Sequence, residues 1–137
     1  MSKTMPLSQD ATVLLIDDDE FVAGPLRHYL AIQGCAVTVA HERAAAEDFM
    51  KTASYGVVVV DPYLTGAVHD GEGSLIRSIR RLQPHAAVIV LTGYASPQLG
   101  SVASECRVTA LLAKPQSVVS MAQVIVAARA ASASKGF

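Results

Sequence analysis

The segment TVLLIDDDE (residues 12–20) joins an apolar run to a cluster of acidic residues. The run at residues 12–16 does not alternate between apolar and polar positions, which is typical of a strand buried on both faces in a parallel sheet. Apolar residues then recur at helical spacing up to Gly34: Phe21, Val22, Leu26, Tyr29 and Leu30. Pro25 lies within this pattern and predicts either a kink or a late start of the helix. The segment therefore predicts one strand–turn–helix unit.

The same unit recurs four more times along the chain. The patterns predict further strands at residues 36–40, 57–60, 87–91 and 109–113, and helices at residues 42–53, 75–82, 97–106 and 118–131. Ser117 is the expected N-cap of the last helix. Five βα units with continuously apolar strands predict an α/β fold, in which a parallel sheet lies between two layers of helices. We expect one domain at residues 11–131, a flexible leader at residues 1–10 and a tail at residues 132–137.

Composition excludes several classes of protein. The 137 residues suit one domain, and 51% hydrophobic residues can form a core without a metal or a disulfide. A net charge of −1 weighs against nucleic acid as the main partner. Cys35 and Cys106 match no zinc or redox spacing and are expected to be reduced core residues. With no signal-like N-terminus and no membrane-spanning run, we expect a soluble cytoplasmic protein without a membrane partner.

Polar residues with chemical potential follow four of the predicted strands. Asp17 and Asp18 follow the first strand, Asp61 the third, Thr92 the fourth and Lys114 the fifth. The carboxyl ends of parallel strands meet at one edge of the sheet, where ligands of such folds bind. We therefore expect these side chains to converge in one cleft.

Three carboxylates in such a cleft require compensation. At about 4 Å and an effective dielectric constant near 20, each pair repels by roughly 4 kcal/mol. A retained proton, the ammonium of Lys114 or a hard cation would relieve this repulsion, and Mg²⁺ suits oxygen ligands of this kind. A strand-end carboxylate facing Mg²⁺ and a lysine is a plausible nucleophile toward a phosphoryl group.

The stretches LLIDDDE, VVVVDPYL, VIVLTGYAS and ALLAKP follow one another in an order and spacing that resemble the receiver domain of two-component response regulators. The resemblance covers about residues 10–131. It implies a flavodoxin-like, doubly wound (βα)₅ fold with a five-stranded parallel sheet of order 2-1-3-4-5. It also implies a stand-alone, non-enzymatic regulator whose phosphorylation switches a surface for a downstream protein target.

The resemblance assigns a role to each residue of the expected cleft. Asp61 is the phosphoacceptor for a sensor histidine kinase or a histidine phosphotransfer protein. Asp18 binds Mg²⁺ (or Mn²⁺) directly, Asp17 acts on the metal mainly through water, and the backbone carbonyl of Tyr63 completes the metal site together with Asp61.

The remaining assignments concern the phosphoryl group and its surroundings. Thr92 and Lys114 contact the phosphoryl group, and the bond between Lys114 and Pro115 is expected to be cis.

The chain departs from the family pattern at three places. Thr65 stands where the family usually has proline, and the loop that follows is lengthened and contains His69, which is a candidate to approach the phosphoryl group. Leu111 stands where the family usually has the aromatic residue that moves with the switch threonine. Tyr94, two residues after Thr92, is the nearest aromatic and a candidate residue for switching or for tuning dephosphorylation.

The last predicted helix carries two apolar stripes. One, suited to the core, comprises Val118, Met121, Ile125 and Ala128, and the other comprises Val119, Ala122, Val126 and Ala130. The second stripe predicts a covered surface. We expect a homodimer contact on helix 4, strand 5 and helix 5, with Val119 and Val126 in the contact.

Two other functions are compatible with part of the pattern. Asp17-x-Asp19 resembles the paired-aspartate motif of haloacid-dehalogenase-like phosphatases, but Phe21-Val22 matches the rest of that motif only in part. The departures at Thr65 and Leu111 would suit a degenerate receiver that acts only as a binding module.

Overall fold

The computed structural model describes residues 12–64 and 73–134, with side chains up to residue 129. Strands and helices alternate: β1 (Thr12–Ile16), α1 (Glu20–Ile32), β2 (Ala36–Ala40), α2 (Arg43–Thr52), β3 (Val57–Val60), α3 (Ser74–Leu82), β4 (Ala87–Thr92), α4 (Pro97–Glu105), β5 (Ala110–Ala113) and α5 (Val118–Ser134). All five strands are parallel, in the order β2-β1-β3-β4-β5. The predicted fold class and strand order are confirmed.

The sheet lies between two layers of helices, because successive side chains of each central strand face opposite sides. Leu14 and Val58 pack with α2, α3 and α4, whereas Val13 and Val57 pack with α1 and α5. Every residue of β3 is 0% exposed, so this strand is covered on both faces. Burial on both faces explains its uninterrupted run of valines.

Local hydrogen bonds explain where two helices begin. Asp19 caps α1 by accepting a hydrogen bond from the amide of Phe21 at 3.0 Å, and the helix continues through Pro25 to Ile32. Pro25 therefore does not delay the start of α1. Ser117 caps α5 as predicted, accepting from the amide of Ser120 at 3.0 Å.

The last helix is longer than predicted. It extends to Ser134 rather than ending at residue 131, because the alanine-rich sequence favours helix up to the Lys-Gly pair that follows. The predicted tail at residues 132–137 is thus helical over its first half, and the rest, like the predicted leader at residues 1–10, lies outside the described residues.

The predicted state of the two cysteines is confirmed within the described part of the chain. Cys35 and Cys106 are free thiols buried in the core, each 6% exposed. Within residues 12–64 and 73–134, none of the helices combines the length and the hydropathy that crossing a bilayer requires.

Candidate functional site

Backbone hydrogen bonds hold the predicted site residues at the carboxyl edge of the sheet. The amide of Asp17 donates to the carbonyl of Ala40 at 3.1 Å, and the amide of Asp61 donates to that of Ile16 at 2.9 Å. Across the other half of the sheet, the amide of Lys114 donates to the carbonyl of Thr92 at 2.8 Å. The strand pairing thus continues past the strands and fixes where these side chains start.

The side chain of Lys114 lies between two of the predicted carboxylates. Its ammonium donates to Asp17 Oδ2 at 2.8 Å and to Asp61 Oδ2 at 2.9 Å. The side chains of Lys114, Asp17 and Asp61 are 16%, 1% and 14% exposed, so the cluster is largely shielded from solvent. Asp61 is the more accessible of the two carboxylates.

The second oxygen of each carboxylate is held by the backbone two residues further along. Asp17 Oδ1 accepts from the amide of Asp19 at 3.0 Å, and Asp61 Oδ1 accepts from the amide of Tyr63 at 2.9 Å. Both turns are of the Asx type, in which the side chain bonds its own backbone. Each carboxylate is therefore oriented through both of its oxygens.

Burial and charge act in opposite directions on the pKa values of this cluster. Burial raises the pKa of Asp17 above its usual value, and the hydrogen bonds from Lys114 and from the Asp19 amide offset this only in part. Burial lowers the pKa of Lys114, but the bonds to the two carboxylates outweigh burial and leave this pKa raised. The lysine therefore stays an ammonium.

The donor set of the cluster fits a hard divalent cation. Asp18 follows Asp17 in the same turn and is exposed to solvent. Among the described residues, no three His, Cys, Asp or Glu side chains form a ready-made metal cage. Mg²⁺ in proteins usually keeps several waters and takes only one or two carboxylates, so Asp17, Asp18 and Asp61 are sufficient donors. The amide of Tyr63 is engaged with Asp61, whereas the use of its carbonyl as a metal ligand stays a prediction.

Thr92 lies at the end of β4, beside this cluster of charges, and is 1% exposed. Its hydroxyl oxygen accepts from the amide of Tyr94 at 3.0 Å. The rings of Tyr63 and Tyr94 meet edge to face, with centroids 5.9 Å apart and planes at 86°. Leu111 lies on the edge strand β5, paired with Val90, and is 39% exposed.

His41 is absent from the predicted site but lies at its rim. Its Nδ1 is 3.1 Å from the carbonyl oxygen of Asp17, and its Nε2 is 3.2 Å from a carboxylate oxygen of Glu20. The sequence could have indicated this position, because His41 directly follows β2 and therefore lies at the same edge of the sheet as Asp17.

The other predicted features vary in where the structure places them. The Lys114–Pro115 peptide bond is cis, as predicted.

Val119 is 45% exposed, whereas Val126 packs partly against the core and Ala122 is buried, so the second stripe on α5 is not one continuous surface. The stripe divides because a helix lying on a sheet buries more than one row of residues. Thr65 and His69 lie outside the described residues.

Comparisons with known proteins agree with this fold. The model of the response regulator receiver domain family matches residues 13–126. The photosynthetic apparatus regulatory protein RegA of Rhodobacter capsulatus is 27% identical over 110 residues, which are 80% of this chain and 58% of RegA. The chain thus spans less than two thirds of the length of that relative.

Two solved structures are also similar. One is a response regulator protein from Burkholderia pseudomallei with a phosphorylated aspartic acid, a calcium ion and citrate: 34% identity, a TM-score of 0.72, and coverage of 91% of this chain and 72% of that one. The other is the beryllofluoride-activated NtrC4 receiver domain dimer: 28% identity, a TM-score of 0.76, and coverage of 89% and 98%.

A five-stranded parallel sheet with two aspartates and a lysine joined at its carboxyl edge defines a class of signalling regulators. The chain belongs to the response regulator receiver domain family.

Proposed function

We propose that Asp61 accepts a phosphoryl group from a phosphohistidine of a sensor histidine kinase or a histidine phosphotransfer protein. The observation that carries this proposal is the ammonium of Lys114, which lies 2.9 Å from the Asp61 carboxylate in a largely shielded site. In the transfer, a carboxylate oxygen of Asp61 forms a bond to phosphorus as the phosphorus–nitrogen bond of the donor breaks. The released imidazole keeps the electron pair and takes up a proton from solvent.

The surrounding residues position and stabilise the reacting groups. Lys114 offsets the charge of the transferred phosphoryl group, and the Tyr63 amide orients the Asp61 carboxylate. The oxygen of the Thr92 hydroxyl accepts from the amide of Tyr94. A hydroxyl can accept and donate at the same time, so its proton can be donated to a phosphoryl oxygen.

A divalent cation would complete this site. Asp17, Asp18 and Asp61 would hold Mg²⁺ (or Mn²⁺), with the Tyr63 carbonyl as a further ligand. When bound, the ion neutralises charge on the phosphoryl oxygens. The Burkholderia relative, whose structure contains a phosphorylated aspartic acid and a calcium ion, supports this assignment.

The proposed partners are proteins. Phe21, in the first turn of α1 beside the acidic loop, is 92% exposed and offers an apolar contact to the phosphoryl donor. Once phosphorylated, the chain signals to a downstream protein target or through a homodimer on α4, β5 and α5, and the NtrC4 dimer supports the latter. The buried, reduced thiols suit the cytoplasm, where such kinases present their phosphohistidines.

The position of Asp19 has a simpler explanation than the paired-aspartate motif of a phosphatase. That motif requires the carboxylate of Asp19 in catalysis, but this carboxylate caps α1 through the amide of Phe21. Asp19 therefore has a structural role that accounts for its position.

Intact-mass measurement after treatment with acetyl phosphate tests the proposal. We expect one phosphoryl adduct on the wild type with Mg²⁺, little without it, and none on Asp61→Asn. Asp48→Asn, which changes an exposed aspartate on α2, is the control and should be labelled like the wild type. A wild type that takes up no phosphoryl group from acetyl phosphate or a kinase would indicate a binding module, and steady hydrolysis of small phosphate esters would indicate a phosphatase.

A further inference from the structure

At position 111 of β5, a leucine offers no side-chain hydrogen bond to the switch threonine, Thr92. In the strand register, Ala113 pairs with Thr92 at the end of β4, and Leu111 pairs with Val90 two residues earlier. Its side chain is aliphatic and cannot form a hydrogen bond that would follow a displacement of the Thr92 hydroxyl. A change at Thr92 must therefore reach the surface by another route.

A direct route exists through two turns of the same design. Asp61 directly follows β3, and Thr92 ends the neighbouring strand β4. Each side chain accepts a hydrogen bond from the amide two residues later, that of Tyr63 and that of Tyr94 respectively. The two tyrosine rings meet edge to face at 5.9 Å. The phosphoacceptor and the threonine are thus connected through two backbone turns and one aromatic contact.

The far end of α4 is held in place by α3. Arg80 donates to the carbonyls of Cys106 and Arg107 at 2.9 and 3.2 Å, and Arg77 forms two hydrogen bonds to Glu105 at 3.1 and 3.3 Å. These contacts all lie at the C-terminal end of α4. A rearrangement that starts at Thr92 is therefore taken up mainly by the segment between β4 and α4, which contains Tyr94.

Building on the proposed function, we infer that Tyr94, packed on Tyr63, replaces the missing aromatic of β5 and carries the phosphorylation state of Asp61 to the surface. A phosphoryl group on Asp61 draws the Thr92 hydroxyl toward it and alters both turns, so the two rings shift relative to each other. Tyr94 is 75% exposed, and this shift changes the surface that a downstream protein contacts. Tyr63 and Tyr94 act as positioning residues in this device.

Fluorine NMR of protein labelled with 3-fluorotyrosine tests the inference. The chain has four tyrosines, so Tyr→Phe variants assign every signal. Beryllofluoride with Mg²⁺ imitates the phosphoryl group, and its own fluorine signals report whether it is bound. On binding, we expect the signals of Tyr63 and Tyr94 to shift and those of Tyr29 and Tyr55, which lie away from the site, to stay in place.

Substitutions then test the route itself. Tyr94→Leu should reduce the shift of Tyr63, because the ring that Tyr63 contacts is lost, while beryllofluoride still binds. Leu111→Ala is the control and should leave the Tyr94 shift intact. Bound beryllofluoride with an unmoved Tyr94, or a shift that disappears in Leu111→Ala, would overturn the inference alone. No bound beryllofluoride in the folded wild type would overturn the proposed function and this inference with it.

Discussion

The ammonium of Lys114 lies 2.9 Å from the carboxylate of Asp61, although 53 positions of sequence separate the two residues. The same ammonium bonds to Asp17 at 2.8 Å, so one positive charge is shared by two carboxylates. The three side chains together keep a net negative charge. That imbalance would favour a divalent cation, and it makes the cluster sensitive to pH and to substitution.

Replacing Lys114 should weaken both the fold and the reaction. Lys114→Gln leaves two shielded carboxylates without their cation, which costs on the order of 3 kcal/mol of unfolding free energy. Phosphorylation by acetyl phosphate should slow by about 10²-fold, because the charge of the phosphoryl group loses its partner. Urea denaturation and the rate of adduct formation measure the two effects. Lys51→Gln, at an exposed lysine on α2, should change neither quantity, and equal losses in the two variants would contradict the role of Lys114.

Asp17 should make the metal-free protein less stable as pH rises. Its pKa in the folded protein lies above the usual 3.8, mainly because of burial, so the folded state binds more protons than the unfolded state between these values. The unfolding free energy therefore falls as pH rises from 3.8 through the raised pKa. Asp17→Asn should remove this fall and be more stable than the wild type at pH 7 in EDTA.

Urea denaturation from pH 4 to pH 7 measures this difference, with Asp48→Asn as the control at an exposed aspartate. If Asp17→Asn is less stable than the wild type across the whole range, the ion pair with Lys114 outweighs the cost of burial.

Magnesium should reverse the order of stability between these two proteins. A cation that binds only the folded state at ten times its Kd adds about 1.4 kcal/mol to the unfolding free energy. The wild type should gain this amount, and Asp17→Asn should gain much less because one of its acidic donors is lost. Thermal melts with increasing Mg²⁺ would show it, and EDTA should return each Tm to its starting value. A parallel increase in both proteins would place the cation elsewhere.

Alanine substitutions at two glycines would distinguish the cost of backbone strain from the cost of steric overlap. Gly34 and Gly73 both have positive φ, of 89° and 92°, but a Cβ at Gly73 would lie 2.6 Å from a methyl group of Val102, whereas nothing lies within 4 Å of one at Gly34. Gly34→Ala should cost about 1 kcal/mol from the left-handed conformation alone. Gly73→Ala should cost about 2 kcal/mol more from overpacking against α4.

Val102→Ala in the Gly73→Ala background should restore part of that loss, because it removes the methyl groups that the new Cβ meets. Chemical denaturation of the wild type, Gly34→Ala, Gly73→Ala and the double variant would provide the comparison. Equal costs at the two glycines would show that α4 moves aside without a penalty.

The exposed side chain of Val119 should contribute to self-association after activation. Its side chain is exposed on α5, in a helix whose described part carries one charged side chain, Arg129, so an aspartate there would oppose an apolar contact between copies. Val119→Asp should weaken the dimer of beryllofluoride-treated protein in sedimentation equilibrium. Ile32→Asp, at an exposed apolar residue of α1, controls for added charge and should leave association unchanged. Val126 is a poor choice for this test, because it packs partly against the core.

The amino-acid sequence by itself determined the order and type of the ten elements and the edge of the sheet where the site lies. This was possible because secondary structure follows from patterns a few residues long. An unbroken run such as Val57–Val60 has to be buried on both faces, and residues that directly follow parallel strands have to meet at one edge. The same reasoning placed Asp17, Asp61 and Lys114 near one another before any distance was known.

Only the tertiary structure decided which atoms meet. That Lys114 is shared by both carboxylates, that Tyr63 contacts Tyr94, and that Val126 packs inward depend on where loops and helices come to rest. These placements result from contacts between segments far apart in the chain, and no local pattern encodes them. The guanidinium of Arg80 illustrates the reason: it bonds five backbone carbonyls, and a backbone carbonyl is the same in every residue type, so the sequence carries no mark of it.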